Sequence, residues 1–228
     1  MGMIRALALL VLWTACASPS PRNSIPLLLD PSPGALALRG RVTLLGHGVR
    51  RPDASGVVLS ISDQPLPPGP RPKLEMAQDQ GQFAPHTLVV PVGTQVSFPN
   101  NDAVEHNVFS PSPGFAFDLG RGGGQPAVFE RPGIVDIYCN IHPAMVGHLV
   151  VVGGPWAISR ADGSFEITGL RPGPHQLIVW DPLALPSETR QRVEVTAESD
   201  ALDLILNEED REPQHSNKYG GAYRGTGY

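Results

Sequence analysis

The chain has 228 residues, of which 25 are glycine and 25 are proline. Together these are about 22% of the chain, where an average protein has roughly 12%, so long regular helices are not expected. Hydrophobic residues make up 41% and charged residues 17%, which predicts a chain that buries a core without being a membrane protein. The formal net charge is -5 and the longest basic run is Arg50-Arg51, so no nucleic-acid partner is expected.

The N-terminus begins with an apolar run over 6–13 that is too short to span a bilayer, which predicts an export signal over 1–16. The run ends in the letters WTAC at Cys16, which resemble the bacterial lipobox, where small residues precede a cysteine that receives lipid. This resemblance implies a lipid anchor and a periplasmic or outer-membrane-attached protein. Alternatively, the ordinary signal peptidase cuts before Ser18 and discards the cysteine. Residues 17–35, rich in serine and proline, are predicted to be a disordered tether.

From residue 36 onward, short apolar alternations recur between turn residues. This spacing is typical of an all-β sandwich or barrel and not of βαβ units, so we predict an all-β fold. Two segments break the pattern. The proline-dense segment 63–79 is predicted to be a linker, and the polar, glycine-rich segment 207–228 is predicted to be a disordered tail.

Residues 161–180 read ADGSFEITGLRPGPHQLIVW, in which Asp-Gly supplies the positive φ of a tight hairpin turn. The segment resembles the repeating pattern of carboxypeptidase regulatory-like domains, which are small Ig-like β-sandwiches. The opening strand of that family has its counterpart far upstream, within 36–62. The resemblance implies one discontinuous domain, 36–62 plus 155–206, with the middle of the chain inserted between its strands. Two unrelated β domains in sequence are the alternative.

Four candidate metal ligands lie in the middle segment, 80–153. His106 stands alone, whereas Cys139, His142 and Met145 share one short loop with the spacing C-x-x-H-x-x-M. A thiolate, two imidazoles and a thioether suit copper, and a trigonal set of two histidines and one cysteine with a weak axial methionine is the arrangement of electron-transfer copper sites. Zinc rarely recruits methionine, and calcium or magnesium would need carboxylates. The pattern therefore predicts one copper ion.

The same segment resembles cupredoxins of the plastocyanin, amicyanin and pseudoazurin group. The resemblance rests on VGTQVSFPNND at 92–102, HNVFS at 106–110 and YCNIHPAMVG at 138–147. It implies a Greek-key β-barrel inserted into or adjoining the Ig-like sandwich, with Asn107 bracing the two ligand loops. It implies a type 1 copper site with the ligands His106, Cys139, His142 and Met145. With the proline-rich linker and the regulatory-like half domain, the chain also resembles bacterial proteins often labelled methylamine utilisation proteins.

These features predict an exported blue copper protein that carries single electrons by cycling Cu(I) and Cu(II), with another redox protein as its partner. The cupredoxin resemblance places His142 at the edge of the molecule, where electrons would pass. No hydrolase motif such as G-x-S-x-G or H-E-x-x-H occurs, so the chain is not expected to be an enzyme. One alternative is a copper storage or delivery protein without redox cycling. Another is a structural module that has kept the fold without the redox use.

Overall fold

A computed structural model describes residues 34–122, 124–209 and 215–223, so the predicted export signal, Cys16 and most of the tether lie outside the described residues. The regular elements in these ranges are all β-strands, which confirms the predicted all-β fold. No helix in this part of the chain is long and apolar enough to cross a bilayer. In chain order the strands are β1 (Leu36–Gly46), β2 (Val49–Arg50), β3 (Val58–Ile61), β4 (Lys73–Glu75), β5 (Ala77–Asp79), β6 (Gln82–Ala84), β7 (Thr87–Pro91), β8 (Thr94–Ser97), β9 (Asn107–Ser110), β10 (Phe117–Arg121), β11 (Ala127–Phe129), β12 (Gly133–Tyr138), β13 (Val146–Val152), β14 (Trp156–Ile158), β15 (Ser164–Leu170), β16 (Gly173–Trp180), β17 (Glu188–Val195) and β18 (Leu202–Glu208).

Strands from both ends of the described chain share two sheets. Sheet I has the order β15-β1-β18, with β2 also paired to β1, and sheet II has the order β14-β3-β16-β17. Apolar residues of both sheets form a first core, among them Val42, Leu59 and Leu177. At the turn before β15, Gly163 has φ 81°, and a Cβ there would collide with the carbonyl oxygen of Val42. This turn therefore requires the glycine that the sequence supplies.

Strands from the middle of the chain form two further sheets. Sheet III has the order β10-β9-β12-β13-β7, with β7 parallel to β13, and sheet IV has the order β11-β8-β4. The hairpin β5-β6 stands beside them. A second core fills the space between these sheets and includes Val96, Ile137 and Leu149 together with Cys139. The candidate metal ligands therefore lie at the edge of this second core.

A third cluster joins sheet II to sheet III. Successive residues of a strand point to opposite faces of its sheet, so a strand between two cores must be apolar on both faces. In β13, Leu149 and Val151 belong to the second core, whereas Val150 and Val152 pack in the third cluster with Trp180 of β16. The four sheets thus stack in the order I, II, III, IV.

The chain passes from sheet II to the middle segment and back through adjacent crossings. The Ile61 N–H donates to the Pro155 carbonyl over 2.8 Å, and the Leu66 N–H donates to the Gly153 carbonyl over 2.8 Å. The two ends of the middle segment therefore lie side by side. This is the condition under which one sandwich can be inserted into a loop of another.

The prediction of an irregular linker over 63–79 is wrong from Lys73 onward. β4 pairs in parallel with β8, and β5 pairs with β6. Met76, between β4 and β5, is fully buried in the second core. The prolines that suggest a linker end at residue 72, and beyond them the polar residues Lys73 and Glu75 alternate with apolar Leu74 and Met76.

Candidate metal centre

Two neighbouring strands of sheet III bring the candidate ligands together. His106 immediately precedes β9, and Cys139 immediately follows β12. The two strands are antiparallel, with Tyr138 opposite Phe109, so the start of one lies beside the end of the other. His142 lies in the loop between β12 and β13. Residues 33 to 36 positions apart in sequence therefore meet at one end of the sheet.

Three donor atoms converge at this end of the sheet. His106 Nδ1 lies 2.9 Å from His142 Nδ1, and Cys139 Sγ lies 4.0 Å from the first nitrogen and 3.6 Å from the second. Two donors to one ion can lie no farther apart than the sum of their bonds, about 4.1 Å for two imidazole nitrogens and about 4.4 Å for a nitrogen and a thiolate. All three separations meet this condition, so these residues fit a single metal ion. The donor set, two imidazoles and one thiolate, suits copper.

The three residues differ in their access to solvent. Cys139 is 0% exposed and His106 is 1% exposed, whereas His142 is half-buried. Burial lowers the pKa of His142 below its ordinary value, and the neighbouring charge of His106 lowers it further, against a smaller opposing effect of Asp102. The lowered pKa favours the neutral imidazole, which is the form that binds a metal.

Asp102 orients His106 from the side away from the other donors. One carboxylate oxygen of Asp102 lies 2.7 Å from His106 Nε2, and the carboxylate also accepts the N–H groups of Gln80 and Gly81 in the β5-β6 turn. The hydrogen bond from Gly81 is the main reason that the pKa of Asp102 is lowered. A carboxylate on the outer nitrogen of a histidine ligand fixes both the tautomer and the ring orientation. No sequence pattern singles out Asp102 as a functional residue, although it lies only four positions before His106.

Met145 lies in the loop 139–145 between β12 and β13, called the ligand loop because it carries three candidate ligands, and is 1% exposed. Its N–H donates to the His142 carbonyl over 3.0 Å, and its carbonyl accepts the Cys139 N–H over 3.2 Å. These bonds close the loop on itself, and the Met145 side chain packs in the same core as Cys139. The backbone of Met145 is thereby held beside the other two candidate ligands of this loop.

Asn107, which the resemblance predicts to brace the two ligand loops, forms a hydrogen bond with Asp118 of β10. Its amide nitrogen donates to Asp118 Oδ1 on β10 over 2.9 Å. Its amide oxygen is buried and has no hydrogen-bond partner among the described residues. The hydrogen bond found for Asn107 thus ties the start of β9 to β10, next to His106.

Residues 215–223 also reach the ligand loop, although the sequence predicts a disordered tail over 207–228. Tyr223 Oη donates to the Cys139 carbonyl over 2.8 Å, and His215 Nε2 lies 2.8 Å from the Pro143 carbonyl. The tail prediction is wrong for these residues and for Asn207 and Glu208, which end β18. The polar, glycine-rich composition of this segment gives no sign of these contacts. They join the side chains of His215 and Tyr223 to backbone carbonyls and need no apolar periodicity.

No protein-family model matches the chain, and no curated protein matches it. Among solved structures, a purple cupredoxin from Nitrosopumilus maritimus is 29% identical over 35% of this chain and 99% of that chain, with a TM-score of 0.30. A variant of amicyanin is 25% identical over 41% of this chain and 97% of that chain, with a TM-score of 0.32. A copper-containing nitrite reductase from Thermus scotoductus SA-01 is 25% identical over 39% of this chain and 25% of that chain, with a TM-score of 0.33.

Proposed function

We propose that the chain is an exported type 1 copper protein that carries single electrons and is not itself an enzyme. The observation that carries the proposal is the convergence of His106 Nδ1, His142 Nδ1 and Cys139 Sγ within 4.8 Å of one another. Met145 completes the proposed ligand set. The bound copper would supply the one-electron couple. The role of the protein is to hold the donors in one arrangement, through Asp102 on His106 and the closed loop 139–145.

Burial of the donors favours electron transfer over storage or delivery of copper. A protein that hands its metal to another protein needs donors that the recipient can reach. Here Cys139 and His106 are buried, and only His142 reaches the surface. A transferred electron needs only a close approach, whereas a transferred ion needs an open path.

The decisive experiment is an absorption spectrum of the copper-loaded protein, recorded with and without ascorbate. We expect one copper per chain and a strong visible thiolate-to-copper band that ascorbate abolishes reversibly. The Cys139→Ser variant should lack the band, while a His175→Gln variant, altered in a histidine of β16 in sheet II, should keep it. Copper that binds without such a band would contradict the proposal, and copper that binds as Cu(I) and resists oxidation would support the storage alternative.

We further propose that residues 73–153 form a cupredoxin domain inserted into an Ig-like, regulatory-like domain made of 36–62 and 155–208. The predicted bounds of 80 and 206 are extended here because β4 and Met76 belong to the second core and β18 ends at Glu208. The adjacent crossings of the chain and the pairing of β1 with β15 and β18 support this division. The third cluster, between sheets II and III, supports packing of these two domains against each other. In this arrangement the Ig-like domain covers the face of sheet III that turns away from the second core.

We also propose that electrons enter and leave through His142, toward a redox protein partner. The loop residues next to it, Pro143 and Ala144, are exposed and uncharged. A partner can approach such a rim without removing water from a charge, which suits brief, weak docking. Ala144→Glu should therefore leave the copper spectrum unchanged and slow electron exchange with the partner. Unchanged exchange rates would exclude this route.

The attachment to a membrane is a separate proposal that rests on Cys16, outside the described residues. If Cys16 carries a lipid, Cys16→Ser should release the exported protein from membrane fractions into the soluble fraction. If the ordinary signal peptidase cuts before Ser18, fractionation of the variant and of the natural protein should be identical.

A further inference from the structure

The segment 215–223 makes a dense set of contacts with the ligand loop. Besides the bond from Tyr223 Oη to the Cys139 carbonyl and the contact of His215 with the Pro143 carbonyl, the Lys218 N–H donates to Asn140 Oδ1 over 2.9 Å. The two residues of each contact lie 72 to 84 positions apart in sequence. They fall within the five residues that run from Cys139 to Pro143, so the segment is fastened to the part of the loop that carries two proposed ligands.

Aromatic packing reinforces these hydrogen bonds. The His215 ring stacks on the Tyr138 ring, with 3.9 Å between ring centroids and 17° between ring planes. The Tyr223 ring meets the His215 ring edge-on at 5.1 Å. Tyr138 directly precedes Cys139. The His215 ring therefore packs on the residue before Cys139, while Tyr223 bonds the carbonyl that follows it.

The same segment is also linked to the strand that begins after His106. Lys218 Nζ lies 2.7 Å from Asp118 Oδ2, and the other oxygen of Asp118 accepts the amide of Asn107. Asn107 is bonded covalently to His106. One short segment is therefore connected to both stretches of chain that supply the converging donors.

We propose that residues 215–223 are a strap that belongs to the metal centre, and that Tyr223 is a positioning residue that holds the Cys139 peptide. The inference rests on the proposed function for its effect on copper, but the contact with Cys139 exists without a metal. By fixing the carbonyl of Cys139, the strap limits the movement of the thiolate relative to the two imidazoles. It also restricts the opening of the loop through which a metal leaves or a reagent reaches the thiol.

Tyr223→Phe tests the strap because it removes one hydroxyl and keeps the ring. Tyr219→Phe is the matched control, since Tyr219 belongs to the same segment but is 81% exposed. Both variants are made in the full chain. Two rates are measured: the loss of copper to a chelator from the loaded protein, and the alkylation of Cys139 by iodoacetamide in the metal-free protein. The Cu(II) absorption spectrum and the far-ultraviolet circular dichroism are recorded for each variant.

Tyr223 Oη also lies 3.1 Å from His215 Nδ1, so Tyr223→Phe removes this contact together with the bond to the Cys139 carbonyl. We expect the variant to speed both rates at least about 3- to 10-fold, the effect of losing one hydrogen bond, and to shift the Cu(II) band with the circular dichroism unchanged. Tyr219→Phe should match the natural protein in every measurement. Equal rates in the two variants, with equal spectra, would overturn the proposal. A second variant, Lys218→Met, breaks the link to Asp118 and should change the rates in the same direction if Tyr223→Phe fails to fold.

The two rates also separate this inference from the proposed function. If the natural protein shows no thiolate-to-copper band, the proposed function fails, yet faster alkylation in Tyr223→Phe would still support the strap. If the band is present and neither rate responds to Tyr223→Phe or to Lys218→Met, the strap is wrong while the copper site stands.

Discussion

Metal binding should stabilise the folded chain through donors that come from distant parts of the sequence. His106 precedes Cys139 by 33 positions, and the two residues meet only when β9 and β12 pair. A ligand that binds only the folded state raises the free energy of unfolding by RT ln(1 + [L]/Kd). Cys139→Ser removes the thiolate from the site, so most of this gain should disappear in that variant.

The size of the effect follows from the linkage relation. At a free metal concentration of 100 times Kd the gain is about 2.7 kcal/mol. A chain of this length shifts its melting temperature by about 2–4 °C per kcal/mol, so the expected rise is about 5–11 °C. Cys139 and His142 are only three positions apart and remain a two-donor site in the unfolded chain. Metal binding to that pair lowers the gain, so these values are upper estimates.

Thermal unfolding is followed by circular dichroism at a series of Zn²⁺ concentrations, because zinc accepts the same nitrogen and sulfur donors without redox chemistry. The quantity compared is the rise in melting temperature within each variant, so a change in the metal-free stability of Cys139→Ser does not matter. His86→Ala is the control. The His86 ring contacts the His148 ring edge-on and does not belong to the group formed by His106, Cys139 and His142. An equal rise in Cys139→Ser and the natural protein, or a loss of the rise in His86→Ala, would refute the reasoning.

Three further changes test the fold, the orientation of a ligand and the titration of the site. Ser159 Oγ accepts the buried Val57 N–H over 3.0 Å, so Ser159→Ala should cost about 1–3 kcal/mol in urea unfolding, and a smaller loss would mean that another acceptor replaces it. Asp102→Asn removes the carboxylate that orients His106 and should weaken copper binding about 10- to 100-fold in a chelator competition, whereas unchanged affinity would exclude the orienting role. Because the pKa of His142 is lowered, its imidazole stays neutral to a lower pH than an ordinary histidine, and protonation then displaces the metal. In the metal-free protein, the ring of His142 should therefore titrate with a midpoint below pH 6.5 when followed by NMR, and a midpoint at or above 6.5 would contradict this.

The three candidate ligands of the loop could be predicted from their spacing, and His106, 33 positions before Cys139, from the family resemblance, but the contacts of Asp102 and Tyr223 could not be predicted. Cys139, His142 and Met145 fall within seven residues of one loop, so their spacing alone places them together. The contribution of Asp102 depends on the turn between β5 and β6, whose N–H groups hold the carboxylate in place. Tyr223 lies 84 positions from Cys139, in a segment without apolar periodicity, and no pattern in the sequence connects the two.

The strand that follows the ligand loop shows how the fold supports the site. From sequence, the apolar run in β13 predicts a buried strand but does not say which elements cover its two faces. In the structure, Val151 packs toward the second core and Val150 toward Trp180 of sheet II. Close-packed interiors resist deformation, so a strand buried on both faces is a rigid support for the loop that ends at Met145. The proposed one-electron carrier would benefit from donors that move little between oxidation states. The packing between sheets II and III would therefore assist the proposed metal centre, although none of the residues in that packing is a candidate ligand.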